Sequence, residues 1–210
     1  MHVLNIEPRS SEKPAGDRPT YLFNNWRGHG QQVAVLARDI AQELGLSDGE
    51  AGRVEKAARY HDVGKSRLPN VFDESEGRPE ELSRPERELL MSHTWLGYRI
   101  LQNWPNPDGW VADAALLHHE WWNGNGYPLG LARSDIPLVA RIVAVADAYS
   151  GLLEQRPYAS AWHVEDVLTD IKTRAGAQFD PECVDALVTL TRPCEPAISP
   201  ARAVVNALPN

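Results

Sequence analysis

IPLVARIVAVADAYSGLL, residues 136–153, decides the fold class, because its centre RIVAVA (141–146) reads as a buried strand as readily as a buried helix. Length favours the helix: the run continues without a breaker for about five turns, longer than an ordinary strand. Asp147 lies deep within this apolar run, where a carboxylate is expensive to bury unless a cation accompanies it.

Upstream, residues 110–120 read as a helix that delivers His118 and His119, ended by the glycine-rich loop 123–128. Before the Pro/Asn/Gly break at 105–109, a capping signature at Ser83 and Glu86 opens a single helix through Leu89, His93, Leu96, Gly97, Ile100 and Trp104, with His93 on its buried side. A polar loop, 72–82, precedes it. Ser47 and Glu50 repeat the capping signature ahead of Ala51, Val54, Ala57, Ala58 and His61, and Gly64 and Pro69 stop that helix just past His61-Asp62. Further back, Val33, Leu36, Ala37, Ile40, Ala41 and Leu44 form one apolar stripe ending near Gly45, with His29 one turn ahead of it.

Downstream, two amphipathic stretches run through Trp162, Val164, Val167, Leu168 and Ile171, and through Val184, Leu187 and Val188. The expectation is an all-α bundle of about seven helices in a single domain. Residues 1–20 read as a flexible leader, 21–191 as the folded domain and 192–210 as a Pro-containing tail.

A length of 210 residues with 42% hydrophobic content is enough for one continuous core. No stretch approaches the roughly 18 consecutive apolar residues of a membrane span, and the start lacks a secretory pattern, so a cytoplasmic location is expected. Cys183 and Cys194 form neither a disulfide framework nor a CxxC pair and read as reduced thiols. A net charge of -8 argues against a nucleic-acid polymer or an anionic membrane as partner. A small anionic substrate can still be met by local cations and bound metals.

The chemistry-bearing pattern is a series: His29, His61-Asp62, His93, His118-His119 and Asp147. Singly, a buried histidine is more often a hydrogen-bonded core residue than a ligand; two doublets in one series weaken that reading, whereas His2 and His163 have no partner at any recognisable spacing. Adjacent helical residues point about 100° apart, too far to chelate one ion but suited to two neighbouring ions. Asp62 has two carboxylate oxygens with which to bridge such ions, roughly 3.5–4 Å apart. A mixed imidazole and carboxylate set without thiolate suits iron, manganese or zinc.

Taken together, HDVGK (61–65), a spaced His93, HHEWWNGNGYP (118–128), IPLVARIVAVADAYSGLLEQRPY (136–158) and GAQFDP (176–181) resemble the HD-GYP phosphohydrolase family, over about residues 23–190. The resemblance implies an all-α HD-superfamily bundle with a di- or trinuclear centre, usually iron or manganese. It also implies phosphodiesterase activity on cyclic di-GMP, giving linear pGpG and onward GMP. By position, His29, His61, Asp62, His93, His118, His119 and Asp147 match the metal ligands, and Lys65 the phosphate-side lysine. Gly126 and Tyr127 match the GYP loop, and Arg156 a substrate-contacting arginine. The expected chemistry is attack of a metal-activated water on phosphorus, with Asp62 bridging the ions and Lys65 neutralising charge or protonating the leaving 3′ oxygen.

The chain departs from the pattern at several positions. Asn25 stands where members with a third metal carry glutamate, so two ions are expected; Gln32, Trp121, Asn123 and Ala159 replace charged residues. Other expectations to separate from cyclic di-GMP hydrolysis are turnover of another cyclic dinucleotide such as cyclic GMP-AMP, or of a nucleotide phosphoester. A cyclic-dinucleotide sensor working through a protein partner is the reading from a different class.

Overall fold

In the computed structural model, residues 20–69, 82–154 and 163–192 are described, with side chains in the first segment from Gly28 onward. They form α1 (Thr20–Glu43), α2 (Asp48–Tyr60), a 3-10 turn (Val63–Arg67), α3 (Arg84–Met91), α4 (His93–Gln102), α5 (Gly109–Leu117), α6 (Leu138–Leu153), α7 (Val164–Thr173) and α8 (Pro181–Thr191). Among the described residues there is no β-strand beyond isolated bridges at Asn123–Ala132 and Ala175–Phe179. The chain is an all-α bundle. No described helix is long and apolar enough to cross a membrane.

The ambiguous run is α6, and its position explains the ambiguity. Val139, Ala140, Ile142, Val143, Val145, Ala146 and Ser150 are buried, so the helix is covered on almost every side by α1, α2, α5, α7 and α8. A central helix loses its polar face and therefore its 3.6-residue period, which leaves the continuous apolar run of a buried strand.

Local signals set the ends of the flanking helices. Gly45, at φ +85°, ends α1; its N–H donates to the Gln42 carbonyl at 2.9 Å, and the Leu46 N–H donates to the Ala41 carbonyl at 3.0 Å. Ser47 and Glu50 close a capping box at the start of α2. The contact of α1 with α2 is close enough that a Cβ on Gly30 would lie 3.0 Å from the Arg59 carbonyl oxygen.

Two expected helices differ. The single helix through Leu89 and Trp104 is broken at Ser92 into α3 and α4. There the Ser92 hydroxyl, the His93 Nδ1 and the Thr94 hydroxyl bond the carbonyls of Leu89, Leu90 and Met91 at 2.6, 2.6 and 3.0 Å, competing with the helical N–H groups for the same acceptors. The helix expected to reach residue 120 ends instead at Leu117, and His118 and His119 lie in the turn beyond it. The leader, the tail, most of the 72–82 loop, Arg156, Ala159, Trp162 and Cys194 lie outside the described residues. Cys183 is a buried free thiol.

Candidate metal centre

Each buried histidine at the end of a helix is aimed by its own backbone. His61 Nδ1 bonds the Ala58 carbonyl at 2.6 Å, His93 Nδ1 the Leu90 carbonyl at 2.6 Å, and His118 Nδ1 the Ala114 carbonyl at 2.8 Å. A carbonyl can only accept, so Nδ1 carries the proton in each ring and Nε2 keeps its lone pair. Those three Nε2 atoms and Asp62 Oδ1 are buried without a hydrogen-bond partner. Orphaned buried acceptors facing one another are costly unless a cation sits among them. The donor set, imidazole and carboxylate without thiolate, fits a divalent transition ion.

The cluster has two compartments. In one, a ligand atom each from Asp62, His93, His118 and His119 lies within 4.8 Å of the others; in the second the same holds for His29, His61 and Asp147. Asp62 faces both. Its Oδ1 is 3.3 Å from His93 Nε2 and 3.8 Å from His118 Nε2, while its Oδ2 is 3.3 Å from His61 Nε2 and 2.8 Å from Lys65 Nζ. Asp147 Oδ1 is 2.9 Å from His29 Nε2 and 3.4 Å from His61 Nε2.

This partition corrects the expectation for the doublets. The ligand atoms of His118 and His119 fall in one compartment, with ring centroids 4.0 Å apart, and are not divided between the two. Adjacent side chains diverge by about 100° only inside a regular helix; α5 has ended, and the His119 carbonyl is held by the Tyr127 N–H at 3.1 Å. It is the His61-Asp62 pair that divides, with His61 in one compartment and Asp62 facing both.

The imidazoles differ in charge. Burial pulls His118 well below its ordinary value and takes His119 down to about 3, so both are neutral donors at neutral pH. Burial also opposes charge on His29, but the carboxylates of Asp147 and Glu154 outweigh it and raise this histidine to about 9. For Asp62, burial is overcome by the Lys65 ammonium and His61, which keep the carboxylate ionised. The His29 hydrogen bond and the nearby His61 imidazole overcome burial in the same way for Asp147.

Two glycines allow the chain to close around these groups. A Cβ on Gly64 would lie 1.8 Å from the His93 carbonyl oxygen, so only glycine lets the 3-10 turn carrying Asp62 and Lys65 rest on α4. A Cβ on Gly126 would lie 2.2 Å from the Trp121 nitrogen. Tyr127 stacks on His119, with centroids 4.8 Å apart and planes at 23°. Its peptide bond to Pro128 is cis.

Sequence reasoning missed two carboxylates. Glu120 is buried and accepts from the N–H groups of Leu129, Gly130 and Leu131 at 2.6, 3.1 and 3.0 Å, tying down the far side of the GYP loop. Its only signal was adjacency to His119. Glu154 meets His29 Nδ1 at 2.8 Å, and its signal was a place two turns after Asp147, on the same side of α6.

The GAQFDP segment has a structural role. The Trp122 and Asn123 N–H groups donate to the carbonyls of Gln178 and Ala177 at 3.0 and 2.9 Å, and Arg141 binds Asp180 at 2.5 Å beneath Trp122.

The HD-domain family profile matches residues 19–183. The chain is 41% identical over 159 residues to the cyclic di-GMP phosphodiesterase response regulator RpfG of Xanthomonas campestris pv. campestris, a match covering 75% of this chain and 41% of that protein. It is 34% identical over 161 residues to 3'3'-cGAMP-specific phosphodiesterase 2 of Vibrio cholerae, covering 76% of this chain and 30% of that protein. The chain thus spans less than half the length of these relatives. Its fold is similar to that of Bd1817, an HDG"Y"P protein from Bdellovibrio bacteriovorus, with a TM-score of 0.64 at 21% identity over 79% of this chain and 52% of that one. With the profile spanning the bundle, and the HDVGK and GNGYP motifs folded around one cluster, the chain belongs to the HD-domain family, in its HD-GYP branch.

Proposed function

We propose that this protein is a cytoplasmic, metal-dependent phosphodiesterase that opens cyclic di-GMP to linear pGpG, with GMP as a further product. The observation that carries the proposal is the convergence of four orphaned buried acceptors, His61 Nε2, His93 Nε2, His118 Nε2 and Asp62 Oδ1, on two adjoining compartments. In this reading His29, His61 and Asp147 would hold one ion and His93, His118 and His119 a second, with Asp62 between them, iron or manganese in both. Asn25 in place of a carboxylate argues against a third. When bound, such ions supply Lewis acidity to phosphoryl oxygens and acidify a water enough for attack near neutral pH.

The remaining work falls to the chain's own side chains. Lys65 keeps Asp62 ionised across 2.8 Å and sits where its ammonium can neutralise a phosphate oxygen or pass a proton to the leaving 3′ oxygen. Tyr127, held by its stacking on His119 and by the Glu120-pinned loop, offers a flat wall for a guanine. Gly126 lets the loop fold tightly against the Trp121 backbone and so presents Tyr127, and Arg156 would supply a forked donor to phosphate or the guanine edge.

The named activities of the relatives support the class of substrate, and the Vibrio cholerae relative favours a second reading, hydrolysis of cyclic GMP-AMP. The test is chromatography of products from protein loaded anaerobically with manganese or iron(II) and offered both cyclic dinucleotides. Linear pGpG is expected, and Lys65→Ala should keep its ions yet lose about 10²–10⁴-fold in turnover. A fully loaded protein that turns over neither compound defeats the proposal.

A further inference from the structure

We propose that Glu154 is the positioning residue for His29, and that its carboxylate sets the affinity of the compartment His29 forms with His61 and Asp147. The inference rests on the reading of that compartment as an ion site. His61, His93 and His118 are each aimed by a backbone carbonyl three or four residues earlier, in the last turns of the preceding helix, an orienter that no side-chain substitution removes. His29 is aimed differently. Its Nδ1 meets Glu154 Oε1 at 2.8 Å, a side chain 125 residues away at the end of α6.

The geometry separates orienting from ligating. Asp147 takes the Nε2 side of the ring at 2.9 Å, and Glu154 takes the Nδ1 side, so the imidazole stands between Glu154 and the compartment. A carboxylate accepting from Nδ1–H fixes the tautomer that leaves the Nε2 lone pair pointing inward, and makes that nitrogen a stronger donor than a carbonyl would. The link also ties α1 to α6 at the site, since His29 belongs to the first and Asp147 to the second. Glu154 is 36% exposed, so replacing it disturbs no core packing.

The experiment is titration of chelator-stripped protein with manganese(II), following free ion by electron paramagnetic resonance, for wild type, Glu154→Ala, Glu154→Gln and His29→Ala. Far-UV circular dichroism would verify that each variant is folded. Glu154→Ala is expected to weaken one of two ions by about 10–100-fold and leave the other unchanged. Glu154→Gln, whose amide oxygen still accepts from Nδ1–H, should restore most of that affinity. Glu154→Ala binding both ions like wild type overturns the proposal. So does a Glu154→Ala protein that loses the ion as completely as His29→Ala with no rescue by glutamine, since Glu154 would then be a ligand. Wild type that takes up no ion overturns the ion-centre reading and this inference together; wild type that binds both ions and cleaves nothing defeats the proposed activity alone.

Discussion

His29 and His119 sit in one cluster at opposite ends of the titration range. The first is held at about 9 against burial by Asp147 and Glu154, and the second is driven by burial to about 3. An ion needs the lone pair, so the proton on His29 must leave before Nε2 can ligate, whereas His119 has none to give up at neutral pH. Ion uptake beside His29 should therefore strengthen as pH rises from about 6.5 toward 9, while uptake beside His118 and His119 stays nearly level. Titrations at several pH values, in buffers of different ionisation enthalpy so that proton release is counted, would measure this; equal slopes would refute it. In the ion-free protein the sign is opposite: the raised His29 contributes stability that is complete below its ordinary 6.5 and is lost as pH rises through about 9.

Elements close on this site through contacts with little slack. A methyl on Gly64 would meet the His93 carbonyl oxygen at 1.8 Å and the Gly97 nitrogen at 2.5 Å, both backbone atoms that cannot rotate away. Gly64→Ala should therefore separate the Asp62 turn from α4, destabilising the protein by about 1–3 kcal/mol and abolishing uptake of the ion shared by Asp62 and His93; chemical denaturation and ion counting would show both. Glu120→Ala should cost at least about 2 kcal/mol, because three N–H groups of the 129–131 segment lose their acceptor; an unchanged denaturation midpoint would contradict that role. At this scale the sequence was legible where a signal is local. The capping boxes at Ser47 and Ser83 and the Gly45 stop all stand where residue type alone places them. The break at Ser92 was hidden because the apolar spacing passes through it in phase, and what breaks the helix is side-chain competition for carbonyls.

For the molecule as a whole, the cluster draws on α1, α2, the following turn, α4, the end of α5 and α6, so an ion bound there cross-links most of the bundle. Binding to the folded state alone stabilises by about 2.7 kcal/mol per site at a hundredfold excess over the dissociation constant. For a chain of this size that is a rise of about 5–10 °C in melting temperature per site, reversed by a chelator. A melting curve indifferent to manganese, iron(II) and chelator alike would mean that the four orphaned acceptors are not an ion site.

Helical periodicity and caps pointed to the all-α fold class, the order of histidines and aspartates to the residues of the cluster, and the resemblance of the HDVGK and GNGYP motifs to the family. Each of those depends on residue type and short spacing, which a chain carries openly. The tertiary structure alone decided how the groups are shared out: His118 and His119 together, Asp62 facing both ways, Glu154 behind His29, and Asp180 clamped to Arg141 beneath Trp122. Those pairings hang on the direction a chain takes after a helix ends and on contacts between residues as many as 125 positions apart, and no local spacing encodes either.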